Sequence, residues 1–191
     1  MNRREAIQRT AMVLGYAVSA PALAGILNGC KTAPELTYTP VFFTYDQASL
    51  ISEVAEIILP KTDTPGAKDV GVPGFIDQML KEVYPLKDQD RFMKGLAEFE
   101  EDSKKTYGDR FALCEPEQQL ELVKKYHDAA IAGVKDTSIT DRPFILMTKE
   151  LTMLGFFTSE PGATQVLQYA PVPGAYHGCL PLAEVGKTWA T

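Results

Sequence analysis

Five separate stretches of this chain repeat apolar residues at intervals of three and four, and proline or glycine punctuates each of them. That spacing gathers the apolar side chains on one face of a helix, and no stretch has the two-residue alternation of a half-buried strand. The first stretch follows Thr44-x-x-Gln47, a capping-box pattern, and carries Leu50, Ile51, Val54, Ile57 and Ile58 up to Pro60. A Gly/Pro/Asp loop over residues 60–74 comes next. Pro73 opens the second stretch, where Val72, Phe75, Ile76, Met79, Leu80 and Val83 form a stripe that stops at Pro85. The third runs from Asp88 to about Thr106, with Phe92, Leu96 and Phe99 inward and Gly108 near its C-cap. Pro116 starts the fourth, with Leu120, Val123 and Ile131. Asp141 and Pro143 start the fifth, with Phe144, Ile145, Leu151 and Leu154 on one face. The expected fold is all-α, a compact bundle of about five helices.

From about residue 155 the pattern breaks. Leu154 to Leu182 is rich in glycine, proline and aromatic residues, and Pro171-Val172-Pro173-Gly174 with Pro181 excludes regular helix or central strand. A solvated linker would not carry Phe156, Phe157, Tyr169 and Tyr176, so this irregular C-terminal arm is expected to pack on something. Two readings stay open. The arm wraps its own helices, or part of it is a docking surface for a second protein, with Phe156, Phe157, Tyr169, Pro173, Tyr176 and Cys179 as the contacts.

The beginning of the chain reads as an export signal. Arg3-Arg4 precede an apolar run from Ala11 to Leu27, interrupted by Gly15, Pro21 and Gly25 and too short and broken for a comfortable membrane span. The arginine pair points to the Tat route, which carries folded proteins. Leu27-Asn28-Gly29-Cys30 has the form of a lipobox, in which the Cys30 thiol takes the lipid. The expected organisation is a signal peptide over 1–29, a tether over 30–40 and one helical domain over 41–191, held by lipid on the periplasmic side of a bacterial membrane. Arg3, Arg4 and Arg9 against Glu5 give the first 29 residues a net charge of +2, so the rest carries −8 of the overall −6. An acidic body argues against nucleic acid as a partner.

Residues for catalysis are few. The chain has two histidines and three cysteines. His127, among Lys124, Lys125 and Asp128, fits a half-exposed place on an amphipathic helix. His177-Gly178-Cys179 offers two metal ligands where zinc needs four, or three and water, and Cys114 stands apart. A Cys179 nucleophile with His177 two residues before it lacks a third group to orient the base. No nucleophile elbow, phosphate-cradling loop or dinucleotide fingerprint occurs. The carboxylates Glu98, Glu100, Glu101 and Asp102 beside Lys104 and Lys105 read as a solvated, ion-paired helix face. Cys114 and Cys179 could pair in an oxidising compartment, or Cys114 could be a small core residue and Cys179 an exposed thiol or a bridge to another chain.

Several motifs in order resemble one family. They are Ile57-Ile58-Leu59-Pro60-x-Thr62-Asp63-Thr64-Pro65-Gly66-Ala67, Val72-Pro73-x-Phe75-Ile76-Asp77, the run from Gly155 to Thr164, then Tyr169 and Val172-Pro173-Gly174-x-Tyr176-x-Gly178-Cys179-x-Pro181. Together they resemble the gluconate 2-dehydrogenase subunit 3 family, small subunits of periplasmic flavin-dependent sugar and sugar-acid dehydrogenases. The resemblance implies a non-catalytic subunit with no cofactor of its own. It implies a flavoprotein large subunit of the glucose–methanol–choline type that holds FAD, and electrons that pass on to a cytochrome c or another acceptor. It also implies that the Tat signal exports the folded pair. Two other classes compete: a free-standing periplasmic lipoprotein adaptor, and an enzyme built on His177 and Cys179.

Overall fold

The computed structural model describes residues 35–133, 142–172, 174, 175 and 178–190. The leader with Arg3 and Arg4, the lipobox Cys30, the first part of the tether, Asp141, Pro173, Tyr176 and His177 lie outside the described residues. Within them the five expected helices are present: α1 (Tyr45–Ile58), α2 (Val72–Glu82), α3 (Leu86–Tyr107), α4 (Pro116–Gly133) and α5 (Phe144–Thr158). A 3-10 turn (Phe111–Leu113) leads into α4. A π-helical turn (Gly162–Val166) and a four-residue helix, α6 (Leu182–Val185), follow α5. No named strand occurs among the described residues.

Local chemistry sets the helix ends. Thr44 Oγ1 accepts from Gln47 N at 3.3 Å while Gln47 Oε1 accepts from Thr44 N at 2.9 Å, so the capping box is complete. Gly71 and Gly108 take positive φ values of 76° and 79°, at the start of α2 and the end of α3, where a side chain would be strained. The connection between α1 and α2 is braced by carboxylates. Glu56 accepts from Lys61 N and Lys68 N, both at 2.9 Å, and Asp69 accepts from Gly66 N at 3.1 Å.

Helix α5 lies at the centre and packs on α1, α2, α3 and α4. Its buried residues are Phe144, Ile145, Leu146, Met147, Thr148, Leu151, Thr152, Gly155 and Phe156. The expected single apolar face is therefore too narrow: only Glu150, Met153, Leu154 and Thr158 are exposed. The two buried threonines cost nothing in lost hydrogen bonds, because Thr148 Oγ1 donates to Phe144 O at 2.9 Å and Thr152 Oγ1 to Thr148 O at 2.7 Å. Val83, Leu120, Ile131 and Leu154, expected inward, are exposed, while Leu122 and Ala130 supply the buried side of α4. The helical period was right, but the assumed stripe on α4 is rotated from the buried face.

A run of rings fills the middle. Phe92 meets Phe144 edge-on at 5.0 Å, and Phe99 meets Phe111 and Tyr126, each at 4.8 Å. Helices α3 and α5 approach closely at Gly95, where a Cβ would stand 2.4 Å from Phe144 Cβ. Part of the expected tether also belongs to the body. Leu36, Tyr38 and Phe42 pack against the core, and Phe43 is in it. The buried Asp77 of α2 holds this strap: its carboxylate accepts from Val41 N at 2.6 Å, Phe42 N at 3.1 Å and Phe43 N at 2.8 Å. Burial, with the Asp77 charge nearby, pushes the Tyr38 hydroxyl well above the usual phenol range.

Gly95→Ala should lower stability by about 1–3 kcal/mol, even though alanine is the better helix former by ~1 kcal/mol, because the added methyl has no room. Denaturant unfolding of the two proteins checks this. An unchanged or raised midpoint would mean that α3 and α5 can separate cheaply.

Candidate partner-binding surface

The titratable groups of the bundle are mostly spent on one another. A depression of about 410 Å³ lies between α3 and α4 and is lined by Glu98, Glu101, Asp102, Lys105, Lys125 and Tyr126. Lys105 pairs with Glu101 at 2.8 Å and Lys125 with Asp102 at 2.8 Å, while Lys104 stands 3.6 Å from Glu100. Those hydrogen bonds hold the Glu101 and Asp102 carboxyls below the ordinary range. Burial, reinforced by Asp102, pushes Tyr126 up to about 12. The acidic run on α3 is thus an ion-paired helix face.

His127 is partly exposed. Its Nδ1 lies 3.3 Å from Asp128 Oδ1, and its Nε2 lies 3.0 Å from Lys149 Nζ, which donates to an unprotonated ring nitrogen. Cys114 is buried, with its Sγ 3.3 Å from Ser103 Oγ and 3.4 Å from Arg110 O, as suits a small core residue. Cys179 is an exposed free thiol, so the two are not bonded to each other. No group of three or more His, Cys, Asp or Glu side chains with metal-binding geometry occurs among the described residues. No described helix is long and apolar enough to cross a membrane.

What remains is the arm. Helix α5 extends to Thr158, three residues past the expected boundary, and takes Phe156 into the core at 3% exposure. Phe156 and the partly buried Phe157 stack edge-on at 5.3 Å, with Phe157 packed against the core's edge. Phe156 therefore has no face left for a second protein. This corrects its place among the expected contacts. The chain then turns at Ser159, whose Oγ donates to Phe156 O at 2.6 Å and accepts from Gly162 N at 3.1 Å.

Beyond Gly162 no described residue of the arm is buried. Val166 packs against the core, and from Ala163 to Ala190 every described side chain is exposed or half-exposed. Tyr169 is 55% exposed and Val172 87%, with Leu180 and Trp189 about half exposed. Of the two readings of the arm, a wrap that closes its own core does not describe these residues. Val172 was quoted only within the turn and the family motif, and Leu180 and Trp189 were not singled out in the sequence. Leu180 follows the recognised Cys179 directly, and Trp189 is the chain's one tryptophan, in a tail that carries no other motif.

Residues 45–174 match the family model of gluconate 2-dehydrogenase subunit 3. The chain belongs to that family. Comparisons with curated proteins and with solved structures returned no match. The matched span begins at the first residue of α1 and ends inside the arm, so it takes in the whole bundle. A subunit 3 family member has a dehydrogenase complex as its setting, and the exposed arm is the described segment best suited to a contact there.

Phe156→Ala and Tyr169→Ala separate core from surface. The first should cost about 3–5 kcal/mol of stability and the second less than ~0.5 kcal/mol. Thermal unfolding of the chain without its partner measures both. A large loss for Tyr169→Ala would place the arm's start in the core.

Proposed function

We propose that this chain is the non-catalytic small subunit of a membrane-associated, flavin-dependent dehydrogenase of the glucose–methanol–choline type. It supports export, stability and anchoring of the large catalytic subunit. Membership of a subunit family, together with an apolar arm that lies outside the chain's own core, carries the reading. Interface anchors are enriched in aromatic side chains, and a proline-rich segment loses less entropy on docking than a flexible one. Tyr169 and Cys179, with Phe157 at the rim, form the described part of the contact. Pro173 and Tyr176 are assigned to it from the sequence.

We place FAD in the large subunit. A cytochrome c or another acceptor takes the electrons onward. Residues 1–29 serve as a Tat signal that carries the folded pair, and a lipid on Cys30 holds it at the membrane.

Mild-detergent purification from the native host should yield one stoichiometric large chain and a flavin absorption spectrum. A chain that purifies without flavoprotein would overturn the assignment. Replacing Arg3 and Arg4 by lysine keeps the charge but removes the guanidinium forks. The small subunit and its dehydrogenase should then both stay in the cytoplasm, as fractionation would show. Cys30→Ala should leave an unlipidated precursor that no longer partitions into detergent. Normal export of the double lysine variant would sink the Tat route, and unchanged partitioning of Cys30→Ala would sink the anchor.

A further inference from the structure

The arm does not end free. Gln168 N donates to Thr188 O at 2.8 Å and Ala190 N donates to Gln168 O at 2.9 Å, which makes a parallel bridge between Gln168 and Trp189. Lys187 Nζ adds a hydrogen bond to Gln165 O at 3.0 Å. Gly186, at φ 72°, turns the chain out of α6 into this return segment, a conformation other residues rarely adopt. The two backbone bonds set Gln168 beside Thr188–Ala190, and the Lys187 bond ties the same tail to Gln165 inside the π-helical turn. Val166, which closes that turn, is the last described residue packed on the core.

We propose that the tail Lys187–Ala190 is a clasp that holds the arm in its docking shape, and that Trp189 is itself an anchor covered by the dehydrogenase's large subunit. The inference rests on the subunit reading above and extends the contact beyond Tyr169 and Cys179. Three observations support it. The clasp contributes nothing to the core, since Lys187, Thr188 and Trp189 are exposed and Ala190 half-exposed. Trp189 is paired through the backbone with Gln168, the chain neighbour of Tyr169, which brings the tail beside the proposed contact. Joining the two ends restricts the loop before binding, which lowers the ordering cost of association. The tail lies past the matched family span, which ends at residue 174.

The test compares three variants of the full chain, Trp189→Ala, a deletion of 187–191, and Tyr169→Ala, each mixed with the separately purified large subunit. Affinity and the melting temperature of each small subunit alone are measured. Trp189→Ala should weaken the complex about 5- to 30-fold, the range for an interface anchor, and the deletion by at least as much. Neither should move the melting temperature by more than about a degree, because no core contact is lost. Two results overturn the inference and leave the subunit reading standing: Tyr169→Ala weakens binding while both tail variants bind within about twofold of the parent, or the tail variants lower the melting temperature and bind normally. If the unaltered chain fails to bind the large subunit, the subunit reading falls and takes the inference with it.

Discussion

Helix α5 is the element the others need. An amphipathic helix is stable only with its apolar face covered, and α1 to α4 each cover theirs partly on α5. That demand explains its composition. With neighbours on most sides, α5 has little room for charge, and its two buried threonines return their hydroxyls to their own helix. The close contact at Gly95 is a consequence of the same crowding: the bulky Phe144 at the start of α5 fits only because α3 presents no side chain there.

The same saturation makes the division of labour on this chain readable. Among the described residues the buried core ends with Phe156, and those after the π-helical turn add apolar surface that the bundle does not use. Val172, Leu180, Tyr169 and Trp189 are all exposed on this one segment, and the proposed contact rests on that surface. The charged groups point the same way. Their ion pairs leave the described faces of α3 and α4 with solvated carboxylates and ammonium groups, a suitable exterior but not a reactive one.

Local signals made the helix positions legible. Thr44 with Gln47, Gly71 before Pro73, and Gly108 each mark a terminus through backbone chemistry that acts within a few residues. Tertiary facts were not written that way. Leu146 and Met147 look redundant beside a stripe of Phe144, Ile145 and Leu151 until four neighbours surround the helix. Leu120 and Ile131 keep the helical period, yet α4 turns Leu122 and Ala130 inward. Asp77, a carboxylate on an otherwise apolar face, gave no hint in one dimension that three amides lay 34 to 36 residues earlier to receive it. The arm's exposed surface was partly visible, since Tyr169 and Cys179, both picked out in the sequence, are exposed. Phe156 was misplaced because the run rich in glycine, proline and aromatics was counted as irregular from about residue 155, whereas Gly155 lies inside α5 and is the gap that lets Phe75 approach it.

The Asp77 brace also decides how force enters the domain. Any pull on the chain ahead of residue 35 arrives along the strap and meets three charge-assisted hydrogen bonds on the second helix before it reaches the first turn of α1. Phe43 in the core and the capped Thr44 come next in line, so the load is shared across helices and does not peel α1 off from its end. The proposed lipid anchor would pull on the body from this N-terminal side, where these bonds meet the load first.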